Sequence, residues 1–364
     1  MINLHAKYAD KLPRLFGHNS YIEGHVNESY RWDGVNRIIV TDTVSQPLND
    51  YRRSGQNRYG DPKDVQDWKQ TMQLKNDKSY ALVVDRGDNS EQQMLKSSGR
   101  ITSKQTKERV NPMRDQNAFS EWSKHAGHVI ELSAAVGKAN IVDVLLDAEV
   151  YMNNAGVPTD NRRLYIRNTY HKLLRLSSEF NNCDNLKERF VVKGKLGGLS
   201  AFEVIGVPDG WLPPEVEYLA VYKESVFAPR KIQELHVHQN PPGISGHLME
   251  ARYIYDAFVF GALANGCVIG VKPGAKAAAP TAAGGPGSGV TLACATSGAL
   301  IRYTVDGSDP RYSDSAALYT GPITKGEGGA DLKAGDVIFA YAENLAAGKH
   351  GSELLIHTVA EAAA

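Results

Sequence analysis

The chain has 364 residues, enough for two or three domains that each bury a core. Its 41 Lys and Arg balance its 41 Asp and Glu, so no overall charge draws it to nucleic acid or to an acidic membrane. Cys183, Cys267 and Cys294 are far apart and lack CxxC spacing, which indicates neither a disulfide framework nor a zinc site. Without a long apolar run or a signal-peptide pattern, we expect a soluble, unsecreted protein made in a reducing cytoplasm.

The N-terminal segment, residues 1–34, mixes aromatic and polar residues without a sustained period. Such an arm is expected to bury its aromatic side chains on the surface of another chain. Two strands are predicted next, Arg37 to Val44 and Ser79 to Asp85, because both are rich in β-branched residues. They are interpreted as the two legs of one hairpin.

Between these strands lies a long polar segment, about Val44 to Lys78, which is broken by glycines and a proline. A structureless insertion of this length is uncommon unless it has a function. Its mixed charges fit protein neighbours, because pairs of Arg and carboxylate fix orientation. A DNA-binding patch and a merely solvated loop are the alternatives. The candidates for subunit contact are Asp50, Arg52, Arg53, Arg58, Asp61, Lys63 and Asp64.

The stretch from Thr102 to Ile130 reads as a long helix, the spine of the chain. Asn111 and Pro112 predict that a helix restarts there, since a first-turn proline has no unpaired N–H. Gly127 is an alternative end for this helix. The predicted apolar stripe contains Phe119, Trp122, Ala126 and Val129 or Ile130. The residues predicted to face water or partners are Arg114, Asp115, Glu121 and Lys124.

The region after the spine predicts a compact α/β body. Its clearest helix follows Asn140 and ends near Gly156, with an apolar face formed by Ile141, Val144, Leu145, Ala148 and Met152. A strand from Arg163 to Arg167 and a helix come next. Further strands are predicted at Phe190 to Lys193, Ala201 to Ile205, Glu217 to Tyr222, Val226 to Val237, Leu248 to Val259 and Cys267 to Val271.

The composition changes abruptly after the last of these strands. Residues 273–289 are mostly Pro, Ala and Gly, so we expect a linker that lets the C-terminal segment sit clear of the body. That segment, residues 290–364, contains short strand patterns separated by turn residues, which predicts a small β-sandwich. The overall fold class is therefore α+β with an appended all-β domain.

Four motifs suggest chemical sites, and each has a plainer interpretation. His236 and His238 share one face of a predicted strand, with His247 after a turn, but no carboxylate or thiolate is placed to complete a zinc site. Gly194–Gly198 lacks the ending of a phosphate loop, and Gly243–His247 enters a strand rather than a helix. Asp306–Asp309 lacks calcium-loop spacing and favours a hairpin turn. We predict no enzyme, no cofactor and no metal.

Several motifs in order resemble the major capsid proteins of tailed bacteriophages over about residues 3–272. They are SYIEGHVN, WDGVNRIIV, PLNDYRRSGQNRYGDP and KSYALVVDRGDN, then VPTDNRRLYI, LPPEVEYLAVYKESVFAPRKI and NPPGISGHLMEARYIYDAFV. The resemblance implies the Hong-Kong-97-type capsid fold, with an N-terminal arm, an extended loop over adjacent subunits and a peripheral domain holding the spine helix. It also implies an axial domain at about Leu132 to Leu212.

The segment IRYTVDGSDPRYSDSAALYTGPI is similar to the chitobiase/β-hexosaminidase C-terminal type of immunoglobulin-like module. The matching residues are Tyr303, Asp306, Gly307, Asp309, Pro310, Tyr319 and Pro322. Such modules are appended to many proteins, so the likeness implies a fold and not a glycosidase. We expect a decoration domain on the outside of the particle, with a glycan or a surface ligand as its possible partner.

The resemblance implies a structural protein that assembles with itself into hexamers and pentamers of an icosahedral shell. Double-stranded DNA would be enclosed without sequence-specific binding, and portal and scaffolding proteins are the other expected partners. No membrane is involved. The alternatives are an encapsulin-type compartment with protein cargo and, from another class, a carbohydrate-binding or carbohydrate-active protein, whose commonest barrel scaffold does not match the element order.

Overall fold

The computed structural model describes residues 19–30, 37–43, 48, 50–54, 56, 58–59, 67–86, 98–177, 198–199 and 201–360. Three of the subunit-contact candidates, Asp61, Lys63 and Asp64, lie outside the described residues. The predicted strand Phe190–Lys193 and Cys183 also lie outside them.

The strand after the N-terminal segment pairs with a strand that the sequence analysis missed. β1 (Arg37–Thr43) is antiparallel to β2 (Asp67–Gln73), with Arg37 opposite Gln73. The predicted hairpin with Ser79–Asp85 is therefore wrong, and β2 lies inside the segment of about Val44 to Lys78 that was predicted as the extended loop. The name extended loop is kept below for residues 44–66, which separate β1 from β2. β2 looks polar in sequence because only its alternate residues Trp68, Gln70 and Met72 are buried.

The strand predicted at Ser79 to Asp85 belongs instead to a three-stranded sheet. β3 (Asn76–Asp85) pairs with β11 (Gly246–Tyr255), which also pairs with β10 (Arg230–Gln239). Ala251, Tyr253 and Tyr255 on the covered face pack against Val110 of the spine.

The spine is continuous where a restart was predicted. α1 (Ser98–Gln105) runs through a π-helical turn (Thr106–Val110) into α2 (Asn111–Lys124), and Val110 and Asn111 have helical backbone angles. Pro112 cannot donate to the preceding turn, which accounts for an irregular turn directly before it. Phe119 and Trp122 of the predicted apolar stripe are buried, as expected. The predicted end of the helix at Ile130 is wrong, because the helix stops at Lys124, Ala126 follows it, and Val129 and Ile130 lie in the strand His128–Glu131.

A six-stranded mixed sheet forms the centre of the body. Its strand order is β4 (His128–Glu131), β13 (Cys267–Val271), β8 (Val216–Tyr222), β5 (Arg162–Arg167), β7 (Phe202–Val207) and β6 (Gly198–Leu199). The spine packs on one face, where Phe119 and Trp122 join Leu219 and Ile269 in one core cluster.

Two helices cover the other face of this sheet. α3 (Ile141–Asn154) and α4 (Asn168–Leu176) pack there in a second core cluster. The predicted helix after Asn140 is confirmed, with all five residues of its apolar face buried. Gly156 has φ +70°, which suits the predicted stop. The predicted strand Val226–Val237 is divided into β9 (Val226–Phe227) and β10, and β12 (Phe258–Val259) pairs with β9.

Gly127 does not end the spine helix, which stops at Lys124. A Cβ atom at Gly127 would lie 1.9 Å from the carbonyl oxygen of Ala264, so backbone packing requires glycine here. We expect Gly127→Ala to lower the free energy of unfolding by about 3 kcal/mol, because the neighbour is backbone and cannot turn aside. Gly210→Ala is the matched control, since a Cβ at Gly210 meets nothing within 4 Å. Equal urea midpoints for the two variants would contradict this.

The C-terminal module, residues 273–360, consists of two small sheets around its own core. β14 (Thr281–Gly285) pairs with β15 (Gly289–Ala293). The second sheet has the order β17 (Ala317–Leu318), β16 (Leu300–Thr304), β18 (Val337–Glu343) and β19 (Leu355–Thr358). The core includes Val290, Ile301 and Ile338.

The predicted linker 273–289 is wrong as a free connection, because β14 lies inside it and Ala275 and Ala277 are buried. Its small residues serve close packing instead. Gly284 has φ +114°, and a Cβ there would lie 2.1 Å from the carbonyl oxygen of Gly289. A composition rich in glycine and alanine therefore suits a tight hairpin as well as a flexible linker, and in this segment it forms a hairpin.

Candidate assembly surface

The extended loop presents its described side chains to solvent. Asp50, Arg52, Arg53 and Arg58 are all exposed. The backbone N–H of Arg52 donates to the carbonyl oxygen of Arg58 at 2.9 Å, which folds the loop back into a narrow tip. The structure thus places four of the seven subunit-contact candidates together on one exposed segment.

Apolar side chains accompany these charges at the loop tip. Tyr51 and Tyr59 meet edge to face with ring centroids 5.0 Å apart. Tyr59 is 84% exposed and Leu48 is fully exposed. Clustered apolar groups on a projecting segment are typical of a surface that another protein covers. Because Tyr51 is 53% exposed and Tyr59 is 84% exposed, much of their ring area is available for such burial.

The N-terminal segment 19–30 packs on its own body, contrary to the expectation that it needs another chain. Asp115 of the spine accepts hydrogen bonds from Ser20 Oγ at 2.6 Å and from the Tyr21 N–H at 2.7 Å. Ile22 and Val26 lie in the core beneath the spine.

Asp115 and Arg114 are buried, so the prediction that they face water or partners is wrong. Burial raises the pKa of Asp115, and the hydrogen bonds from Ser20 and Tyr21 oppose that rise. A chain segment distant in sequence covers both side chains, so helical periodicity alone gives no signal of their burial.

The C-terminal module is docked on the body through the loop after β16. Arg311 lies between Asp309, with which it forms an ion pair, and the carbonyl oxygen of Gly127, to which it donates. Tyr312 Oη donates to the carbonyl oxygen of His125 at 2.8 Å. The Tyr312 ring is buried in the core cluster of the body, beside Trp68 and Gly261.

The same loop reaches the base of the extended loop. The Asp314 N–H donates to the carbonyl oxygen of Lys69 at 2.9 Å, and the Asp314 carboxylate accepts from the N–H and Oγ1 of Thr71. His350 Nδ1 lies 3.3 Å from the carbonyl oxygen of Ser123. The module therefore joins β2 to the end of the spine helix, and its polar side chains meet carbonyl groups that a helix C-terminus leaves unpaired.

Two histidines at this docked surface should make stability depend on pH. Burial lowers the pKa of His128 to about 4, with Glu353 opposing the shift and Lys276 and Arg311 adding to it. Burial also lowers the pKa of His350. The unfolded chain binds these protons near the ordinary pKa of 6.5 while the folded chain excludes them. The contribution of the two neutral histidines to the free energy of unfolding is therefore complete above about pH 6.5 and is lost as the pH falls toward 4.

We expect the free energy of unfolding to fall by about 2 to 3 kcal/mol through His128 over this range, allowing for its partial exposure. Urea unfolding at pH 7.5 and at pH 4.5 measures the loss. His128→Gln should reduce the loss, whereas the matched control His236→Gln should keep it, because the His236 side chain is 63% exposed. The same pH dependence in all three chains would contradict the assignment.

The three histidines considered as a zinc site do not come together. His236 and His238 stack with centroids 6.2 Å apart, while His247 pairs opposite Gln239 and lies on the other face of the sheet. Carboxylates do lie beside the pair, since His238 Nε2 is 3.2 Å from Glu250. Within the described residues, no three His, Cys, Asp or Glu side chains are grouped to hold a metal ion.

The other motifs are turns, as far as the structure describes them. Gly243 has φ +81° in the turn between β10 and β11. Asp306 accepts from the Ser308 N–H at 3.0 Å and from Ser315 Oγ at 2.6 Å, so its carboxylate oxygens stabilise its own loop. Most of Gly194–Gly198 lies outside the described residues. No described helix is both long enough and apolar enough to span a membrane.

The fold formed by the spine helix, the three-stranded sheet beside it and the central sheet is similar to the folds of solved phage capsid structures. Three solved structures are similar over nearly their whole lengths. "Mycobacterium phage Che8" is 15% identical, with a TM-score of 0.57 over 74% of this chain and 97% of that chain. "Capsid structure of the Cyanophage P-SCSP1u" is 11% identical, with a TM-score of 0.60 over 74% and 93%.

"Asymmetric unit of bacteriophage PhiM1 mature capsid" is 10% identical, with a TM-score of 0.55 over 75% of this chain and 93% of that chain. These likenesses confirm the predicted capsid fold. No curated protein sequence matches the chain.

The family model of the chitobiase/β-hexosaminidase C-terminal domain matches residues 281–337. This confirms the resemblance drawn from the sequence for the module. The matched region begins at the first residue of β14, inside the segment that the composition had indicated as a linker.

Proposed function

We propose that the protein is the major capsid protein of a tailed double-stranded DNA phage. The observation that carries this proposal is the fold likeness, which extends over at least 93% of each of the three phage structures. The exposed tip of the extended loop supports it, because an assembling subunit needs surfaces that only its neighbours cover.

In this proposal the chain acts structurally, without catalysis. Copies associate as hexamers and pentamers in an icosahedral shell in the virion, after synthesis in the host cytoplasm. The balanced charge of 41 basic and 41 acidic residues suits a wall that encloses DNA without binding it tightly. Portal and scaffolding proteins are the further partners of such a shell. The four described loop candidates, together with Asp61, Lys63 and Asp64, are proposed to contact adjacent subunits.

The test is expression of the full chain in bacteria, followed by sedimentation and negative-stain electron microscopy. Closed particles of uniform diameter are the expected result, formed alone or with a co-expressed scaffolding protein. A chain that stays monomeric under both conditions contradicts the proposal. Nucleic acid in particles purified from infected cells distinguishes a phage capsid from an encapsulin-type shell with protein cargo.

A further inference from the structure

A cavity of about 330 Å³ lies between the N-terminal segment, the spine and the start of β10. One wall is the segment from Ile22 to Tyr30, and the opposite wall is Phe227 to Arg230. The rings of Tyr30 and Phe227 meet edge to face with centroids 5.5 Å apart. Arg114 of α2 also lines this cavity.

The walls of the cavity are held in place by hydrogen bonds and by core packing. At one end, Asp115 accepts from Ser20 and Tyr21. At the other end, the Asn27 N–H donates to the carbonyl oxygen of Val226 at 2.8 Å. Ile22 is buried between these two attachments. The cavity is therefore a built feature of the subunit.

Arg114 is only 7% exposed, yet within the described part of the chain its guanidinium forms no hydrogen bond and no ion pair. Burial lowers the pKa of Arg114, and the nearby charge of Arg230 lowers it further. The adjacent carboxylates have other partners, since Asp115 accepts from Ser20 and Tyr21, and Glu23 accepts from Arg230 at 3.1 Å. The charges of Asp115 and Glu23 favour the charged form of Arg114 and oppose the effect of burial, but within the described residues neither carboxylate forms an ion pair with its guanidinium.

We propose that this cavity is a binding site for an oxyanion, a carboxylate or a phosphate group, held mainly by Arg114. A guanidinium presents two parallel N–H donors that match the two oxygens of such a group. Arg230 supplies a second positive charge at the same wall. Glu23 and Glu28 also line the cavity, but both side chains are exposed to water, which screens their charges more than it screens that of the buried Arg114. The site does not depend on the proposed shell function, because it is complete within one chain.

The group has two possible sources, a free anion or an acidic side chain of a second copy. The first arm of the test is thermal unfolding of the unassembled full chain in inorganic phosphate, with sodium chloride matched for ionic strength. The midpoint should rise with phosphate concentration, because a ligand that binds only the folded state stabilises it. Arg114→Gln should weaken phosphate binding at least tenfold. Arg302→Gln is the matched control, because the Arg302 side chain is 48% exposed on the module.

Arg114→Gln also removes the positive charge beside the buried carboxylate of Asp115, so its midpoint without phosphate is expected to fall. The measured quantity is therefore the rise in midpoint on adding phosphate, relative to each chain's own value without it. A binding role predicts a rise in wild type that is lost in Arg114→Gln and kept in Arg302→Gln, and an equal phosphate response in wild type and Arg114→Gln overturns the proposal.

The second arm repeats the phosphate titration on assembled particles. A response that disappears on assembly and returns on dissociation identifies an acidic side chain of a neighbouring copy as the occupant. A response that persists identifies a free anion. Both results support the site, and the absence of a response in unassembled wild type overturns it. If the chain never assembles, the first arm still decides.

Discussion

A chain truncated after Lys272 is expected to lose most of its soluble, assembly-competent protein. The truncation removes Tyr312 from the core of the body and leaves a void beside Trp68 and Gly261. Removing a buried aromatic side chain costs about 3–5 kcal/mol, and each buried polar group left unpaired costs about 1–3 kcal/mol. The sum is comparable to the whole stability of a domain, which is about 5–15 kcal/mol.

Soluble yield and particle number by sedimentation measure this effect. Tyr312→Ala in the full chain should lower the free energy of unfolding by about 3–5 kcal/mol, whereas Tyr312→Phe should cost about 1 kcal/mol through the hydrogen bond to His125. Leu318→Ala is the control, because Leu318 is 53% exposed on the module. Normal particles from the truncated chain would instead support the detachable decoration domain that the composition of residues 273–289 predicted.

Replacing residues 48–59 by a four-residue Gly-Ser loop is expected to reduce particle yield more than tenfold while leaving the subunit folded. The described side chains of this segment are exposed, so their loss should change the free energy of unfolding by less than about 0.5 kcal/mol. Loss of the intersubunit contacts is multiplied over every copy in a closed lattice. Electron microscopy counts the particles, and urea unfolding checks the subunit.

Reversing the charges of two loop residues tests the contacts made by the loop without changing the length of the loop. Arg52→Glu combined with Arg53→Glu should reduce particle yield, because both arginines are exposed on the loop tip. Arg302→Glu on the module is the matched control and should assemble as wild type does. Full assembly of the loop-replaced chain would contradict the role given to the extended loop and would leave the fold assignment intact.

The sequence predicted elements whose apolar residues repeat locally. α3 is predictable with its complete buried face because five apolar residues recur at helical spacing within a short stretch. The stripe of Phe119 and Trp122 is predictable for the same reason. Ordered motifs also indicated the capsid fold, which the similarity to solved phage structures confirms.

Pairing between distant segments could not be predicted from local patterns. β2 reads as loop because five of its seven residues are polar, and its burial depends on β1 and on the module. Asp115 reads as exposed because the segment that covers it lies 94 residues earlier, at Tyr21. A short window of sequence around β2 or around Asp115 does not include the distant segment that covers it.

The sequence by itself determined the α+β class, the spine, the helix α3 and the two resemblances, because each depends on residues close together in the chain. Only the tertiary structure decided that the module packs on the body and that Arg114 lies buried at a cavity. Small residues suit both a flexible linker and a tight hairpin, and an arginine suits both solvent and a buried site. Which of these states forms depends on the surface that a distant part of the chain brings against them.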